Sequence, residues 1–191
     1  NNEIHSVISK WMDTDQFLRT IVVDRRIAND DGFLHWYCDN DGYCHNHNYY
    51  WYEDPILNNV QIIPWDLDNA FENLVINENP VTPIKDEWYE KSSSCKSFRY
   101  GDAGLYQRSA SCDKIIGSYD IYKNKYDSLD EVFRINFYNI NQIDILLDSW
   151  SNQIENSIGM AHEKYKNKEI NISKWKSEVL KLKNNIKNSL N

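Results

Sequence analysis

The stretch Asp39–Phe71, DNDGYCHNHNYYWYEDPILNNVQIIPWDLDNAF, decides how the chain is read. It groups Asp41, Asn46, Asn48, Asp66 and Asp68 around two short aromatic and aliphatic runs. Tyr49–Glu53 and Val60–Trp65 are strand-forming, and Asp54-Pro55 and Asn58-Asn59 between them are turn formers, so the pattern predicts a β-hairpin. A hairpin brings the residues before its first strand beside those after its second. Carboxylates and amides gathered in this way suit a divalent cation, a phosphate or a sugar. Plainer alternatives stand beside that reading: Asp41-Gly42 is a common turn pair, and Asp66 or Asp68 serves equally well to cap a turn or the next helix. Trp51, Tyr52 and Trp65 are expected in the core rather than as a ligand platform.

Upstream, Ile4, Val7, Ile8 and Trp11 follow helical spacing, and Phe17, Leu18, Ile21 and Val22 continue it in a second helix capped by Thr14 or Asp15. Asn29-Asp30-Asp31-Gly32 breaks that helix, and residues 33–48 read as loop. Downstream, residues 72–126 have weak periodicity and read as an irregular insertion. Ser128-Leu129-Asp130-Glu131 offers a capping box, and the chain is helical from there to its end. Ile143, Leu146, Leu147 and Trp150 mark one helix, from about residue 142 to 164. Trp175, Val179, Leu182 and Ile186 mark another, from about residue 173 to 190, with Ser173 as its cap. The expected organisation is one α+β, mostly helical domain over 1–191. It comprises helices over 1–38, the central hairpin region over 39–71, the insertion over 72–126 and a helical bundle over 127–191.

The chain has 191 residues, enough to bury a core, and its 7 Trp and 13 Tyr with few Gly and Pro give a packed globular composition. A net charge of −8 argues against nucleic acid, because phosphate contacts need clustered Lys and Arg. The one basic region, Lys164–Lys187, alternates with Glu and Asn and reads as a solvated helix face. No apolar run approaches the ~20 residues of a membrane span. Cys38, Cys44, Cys95 and Cys112 allow three disulfide pairings. Cys38–Cys44 with Cys95–Cys112 is favoured because each bond closes a short loop, and it implies an oxidising, extracytoplasmic setting. Cys38 and Cys44 with His45 and His47 also form a possible zinc set, but C-x5-C-H-x-H is not a usual zinc spacing. Asn171-Ile172-Ser173 is a glycosylation sequon, a weak three-residue pattern.

Two motifs carry a resemblance. His47–Pro55, HNYYWYEDP, followed by Ile63–Phe71, IPWDLDNAF, resembles the CotH family of spore-coat and secreted kinase-like proteins, with its HNYYLY-type strand and PWD-x-D turn. Asp41-Gly42-Tyr43 matches the Asp-Gly-aromatic that precedes the strand. The similarity extends to the Phe17-Leu18-Arg19 helix and to the helices holding Trp175 and Leu182-Lys183, whereas residues 85–125 have no placed counterpart. The resemblance implies a protein-kinase-like C-lobe and metal-dependent transfer of the ATP γ-phosphate to Ser or Thr of a secreted or coat protein, with Mg²⁺ or Mn²⁺. It makes Asp41 the group that orients or deprotonates the acceptor hydroxyl. Asn46 or Asn48 becomes the ligand of one metal, and Asp66 the holder of the metal bridging the phosphates, with Asp68 assisting. Asn46 keeps the five-residue step from Asp41, while Asn48 keeps the HNYY alignment, and both stay open. The N-terminal lobe, with its phosphate-anchoring Lys and partner Glu, is expected before residue 1, as a lost segment or a second chain. Two other functions are carried: a secreted structural or adhesion protein that keeps the fold without catalysis, and a carbohydrate-active or carbohydrate-binding protein using exposed aromatics beside paired carboxylates.

Overall fold

The structure is a computed structural model and describes residues 2–29, 31–71, 88–90, 94–100, 105–165 and 168–189. It is α+β, with one unit spanning Asn1–Val132 and a second spanning Phe133–Asn191.

In the first unit, helix α1 (Asn2–Trp11) runs into α2 (Thr14–Arg26). The cap of α2 is Asp13, one residue before the expected Thr14 or Asp15: its side chain accepts from the Gln16 backbone N–H at 2.9 Å. Phe17, Leu18, Ile21 and Val22 are buried, as their spacing predicts. The stripe on α1 is narrower than expected, because Ile8 is buried while Val7 and Trp11 are exposed. Phe17 is central to the core, stacked on Tyr119 at 4.2 Å and set edge-on to Phe33 at 5.8 Å.

The predicted hairpin forms from β3 (Tyr49–Asp54) and β4 (Asn59–Pro64), pairing Tyr49 with Pro64 and Asp54 with Asn59. Its turn is held by the Asp54 carboxylate, which accepts from the N–H groups of Ile56 and Leu57, and by Asn58 at φ 53°. Trp51 stacks on Phe17 but stays exposed, as do Tyr50, Tyr52, Ile63 and Trp65, while Ile62 is buried beneath the hairpin. Trp51, Tyr52 and Trp65 therefore differ from the expected core placement.

A second, antiparallel sheet of order β2-β1-β6-β5 lies in regions read as loop. Its strands are β1 (Trp36–Cys38), β2 (Cys44–His45), β5 (Phe98–Tyr100) and β6 (Leu105–Arg108). The described part of the insertion thus contains ordered strands, and short helical turns follow at Ala110–Cys112 and Ile116–Tyr122. Buried His35 donates from Nε2 to buried Gln107 Oε1, fastening β6 to the segment before β1. Both expected disulfides are formed, Cys38–Cys44 and Cys95–Cys112, and the first joins residues directly opposed in the β1–β2 ladder. With all four thiols bonded, the zinc reading has no thiolate ligands. Helix α3 (Lys123–Asn136) begins before Ser128, which lies inside it and bonds back to the Asn124 carbonyl, so the expected capping box is absent. Arg26 meets Asp130 of α3 through a paired fork at 2.5 Å.

The second unit holds the end of α3 with α4 (Ile140–Lys164) and α5 (Ile172–Ser189). Asn139 caps α4, and Asn171 rather than Ser173 caps α5, accepting from the Lys174 N–H at 2.8 Å. Trp175 and Ile186 are buried, whereas Leu146 and Trp150 of the expected α4 face are exposed. Lys176 pairs with Glu155, Lys183 with Asp144 and Asp148, and Lys187 with Asp144, as a solvated, paired helix face should. No helix among the described residues is long and apolar enough to cross a membrane.

The end of α2 is held by a buried polar latch. Asp24 is 4% exposed; its carboxylate accepts from Arg25 and from Asn29 Nδ2 at 2.9 Å, and its carbonyl accepts from the Asn29 N–H. Gly32 closes over this latch, since a Cβ there would stand 2.3 Å from Asp24 Oδ1 and 2.4 Å from Asn29 Nδ2. Burial pushes the Asp24 pKa above its ordinary 3.8, against the opposing pull of Arg25 and Asn29. The folded state therefore keeps a proton that the unfolded chain releases, so this group's contribution to stability falls as pH rises above 3.8 and levels once the native carboxyl ionises. Urea unfolding at a series of pH values should show the wild-type stability, relative to Asp24→Asn, declining with rising pH in that window. A relative stability that climbs would contradict it.

Candidate functional site

The site is built where the end of α2, the start of β3 and the turn after β4 meet, and Asp31 joins all three. His47 Nε2 lies 2.7 Å from Asp31 Oδ1, Asn48 Nδ2 donates to Asp31 Oδ2 and to its carbonyl at 2.9 Å, and Asn69 Nδ2 donates to Oδ2 at 3.1 Å. The Asp31 side chain is 16% exposed, so it is sheltered yet reachable. Pro64 is followed by Trp65, whose N–H donates to the Asn48 carbonyl at 2.9 Å, extending the hairpin ladder to the site. Asp66 comes next at φ 55°, ψ 63°, then a short helical turn at Leu67–Asn69. The turn is tied back by the Phe71 N–H, which donates to the Ile27 carbonyl at 2.8 Å.

The backbone around this knot is unusual. Ala28, Asn48, Asp66 and Phe71 all have positive φ without being glycine. Left-handed backbone at such residues costs about 1–3 kcal/mol each and persists only where surrounding bonds over-determine it. The bonds to Asp31, Asn48 and Ile27 do so here.

The expected site residues separate into two groups. Asn48, Asp66 and Asp68 fall at or beside the knot, with Asn48 and Asn69 holding the same carboxylate. Asp41 lies on an exposed turn, where Asp39 Oδ1 accepts from the Asp41 and Tyr43 N–H groups and Gly42 supplies φ 81°. No hydrogen bond among the described residues links Asp41 to Asn46, Asn48, Asp66 or Asp68. The two asparagines also differ. Both amide atoms of Asn46 serve the fold, Nδ2 donating to the Phe33 carbonyl and Oδ1 accepting from the Tyr49 hydroxyl at 3.2 Å. The Tyr49 pKa is raised by burial and then by the Asp113 charge, which the bond to Asn46 partly offsets. Asn48 uses only its Nδ2, and its Oδ1 has no hydrogen bond among the described residues.

Asp66, Asp68 and Asn48 Oδ1 thus offer oxygen atoms with no hydrogen-bond partner among the described residues, the donor type that Mg²⁺ and Mn²⁺ take. No group of three or more His, Cys, Asp or Glu side chains is gathered among the described residues. Oxygen donors of this kind could hold only a cation that completes its shell with water and phosphate oxygens. The electrostatics agree. Between Arg26 and Lys85 the chain carries no Lys or Arg, while Asp31, Asp39, Asp41, Asp66 and Asp68 all fall inside that span. Beside the turn, a cleft of about 370 Å³ opens between α2 and Pro64–Leu67, with Val23 and Ile27 on its wall and exposed Arg19 at its rim.

Comparison with known families agrees with the motifs. The family described as CotH kinase protein matches residues 1–191, the whole chain, and the protein belongs to that family. No curated protein and no solved structure matches it.

Sequence reading missed Asp31 and Asn69. The Asn-Asp-Asp-Gly run around Asp31 carries ordinary helix-breaking chemistry, and Asn69 directly follows the recognised aspartates. The long absence of Lys and Arg was the signal available. The strained turn gives a test. Asp66→Gly removes the left-handed penalty and the carboxylate together, so its urea midpoint should rise, equivalent to about 0.5–1 kcal/mol, at unchanged slope. A lowered midpoint would mean that the Asp66 side chain itself stabilises the turn.

Proposed function

We propose that the protein is a metal-dependent, CotH-type protein kinase of an extracytoplasmic setting, transferring the γ-phosphoryl of ATP to a Ser or Thr hydroxyl. The observation that carries this reading is the convergence of Asn48 and Asn69 on one sheltered carboxylate, Asp31, beside the free oxygens of Asp66 and Asp68. Family membership and two disulfides, which suit an oxidising compartment, support it.

Asp31 replaces Asp41 as the acceptor-facing carboxylate in this proposal, because Asn48, whose Oδ1 is offered to the metal, also holds Asp31. It takes the proton of the acceptor hydroxyl as the hydroxyl oxygen bonds to the γ-phosphorus and the bond to the β-phosphate oxygen breaks, giving a phosphoester and ADP. His47 and Asn69 hold the carboxylate in place. Asp66, Asn48 Oδ1 and Asp68 would hold the divalent cation, which supplies positive charge against the phosphate oxygens. Asn46 is retained as a structural residue of the Phe33–Tyr49 contact.

A second reading has its own observation. The Asp31 carboxylate is occupied by its neighbours, as a structural latch would be, and this suits a secreted structural protein that keeps the fold without catalysis. The sugar-binding alternative has the exposed rings of Tyr50, Tyr52 and Trp65 as its observation.

Calorimetry with the full-length protein should detect ATP binding with Mg²⁺ or Mn²⁺ and none with chelator. With dephosphorylated casein and the chain itself as acceptors, Asp31→Asn should cut incorporation of labelled phosphate at least ~100-fold, and Asp41→Asn less than about threefold. Folded Asp31→Asn protein that melts lower while the wild type neither binds metal–ATP nor transfers phosphate would favour the latch.

A further inference from the structure

The two edges of the β3–β4 hairpin are finished differently. On the β4 side the Val60 carbonyl accepts from the Asp13 N–H at 3.1 Å, and the Gln16 amide bonds both to the Ile62 N–H, at 3.2 Å, and to the Ile62 carbonyl. Pro64 adds no donor there. Gln16 thus imitates a neighbouring strand, and this edge is closed.

These bonds fix which residues face outward. In an antiparallel ladder the residues that bond inward alternate with those that bond outward. Because Val60 and Ile62 face away from β3, their partners Glu53 and Trp51 face away from β4, and Tyr49 with them. No group among the described residues bonds the outward N–H and C=O of Trp51 or Glu53. An open strand edge of this kind is a ready template for another strand, and folds normally blunt it.

A cavity of about 110 Å³ is lined by Tyr49 and Trp51 of β3, by Ile62 of β4 and by Trp36, Asn46, Asp113 and Ile115, among others. The Trp36 indole N–H is buried without an acceptor among the described residues. Trp51 and Ile115 are exposed among these lining residues. The charges near the edge are mainly negative: Glu53 and Asp54 end β3, and Asp113 lines the cavity, with Lys114 the cation beside it in sequence.

We propose that the outer edge of β3 is a docking strand for an extended basic segment of a partner protein. The segment adds as a third strand, bonding the Trp51 and Glu53 backbone, and sets its Lys or Arg side chains against Glu53, Asp54 and Asp113. One small hydroxyl- or amide-bearing side chain enters the cavity and accepts from the Trp36 indole. The surface is separate from the Asp31 knot and does not require phosphoryl transfer.

The test uses the full-length, isotope-labelled protein and a short synthetic peptide alternating lysine with threonine. Amide signals of Trp51 and Glu53 and the Trp36 indole signal should shift, and the matching glutamate–threonine peptide should leave them in place. Glu53→Pro removes one outward N–H and should weaken binding about tenfold. If its spectrum shows unfolding, Glu53→Lys, which keeps the backbone donor and reverses the charge, should weaken binding to a similar degree. Shifts confined to other surfaces, equal binding of the glutamate peptide, or unchanged affinity in the folded variants would overturn the proposal. So would concentration-dependent shifts of the same amides without peptide, which would assign the edge to a second copy of the chain.

Discussion

The bonds to the Asp31 carboxylate are the constraint on which the rest of the site depends. They hold three pieces of chain that have no regular ladder in common: the end of α2, the start of β3 and the turn after β4. Ala28, Asn48, Asp66 and Phe71 would each relax in isolation, because a non-glycine residue does not choose positive φ freely. They are kept there because hydrogen bonds fix the segments on either side. Below the knot, the Asp24–Asn29–Gly32 latch fixes the chain as it leaves α2, and the 2.3 Å approach to Asp24 explains why only glycine fits at position 32. The site is therefore rigid from beneath and strained at its surface, an arrangement that presents oxygen atoms without letting them fold back on the protein.

Much of this was legible in the sequence, and what was not has physical reasons. The hairpin announced itself through two strand-forming runs between turn residues, and the buried face of α2 through helical spacing. The sheet of β1, β2, β5 and β6 did not, because strands of two to four residues are too short for alternation to show, and β1 pairs with β6 far along the chain. Asp31 was hidden by its neighbours. Asp and Gly after a helix are ordinary terminators, and only the folded chain shows which of the aspartates faces Asn48. For Asn46 and Asn48, spacing favours one and motif alignment the other; in the folded chain Asn46 spends both amide atoms on Phe33 and Tyr49, while Asn48 donates to Asp31.

The exposed turn from Cys38 to Cys44 holds the Asp41 backbone by local bonds and leaves its carboxylate exposed. Asp41-Gly42-Tyr43 matches the pattern that precedes the family's strand, yet its geometry is accounted for locally by the Asp39 carboxylate, the positive φ of Gly42 and the disulfide across β1 and β2. These bonds engage the Asp41 backbone and not its carboxylate. The Asp31 carboxylate, in contrast, has partners at positions 47, 48 and 69.

Charge takes the argument one step further. Asp31, Asp66 and Asp68 lie in a span without a single Lys or Arg. Like charges ~4 Å apart repel by about 4 kcal/mol at an effective dielectric of ~20, so an ATP triphosphate brought to these carboxylates alone would be driven away. Asp66 and Asp68, which have no ion pair among the described residues, stand apart from the pairs elsewhere, such as Arg26 with Asp130 or Lys183 with Asp148. Elsewhere the protein supplies both charges of such a contact, whereas the Asp66 and Asp68 carboxylates have no cationic partner among the described residues. In the proposed function a divalent cation offsets that charge, whereas a latch of Asp31, His47, Asn48 and Asn69 alone would leave Asp66 and Asp68 unused.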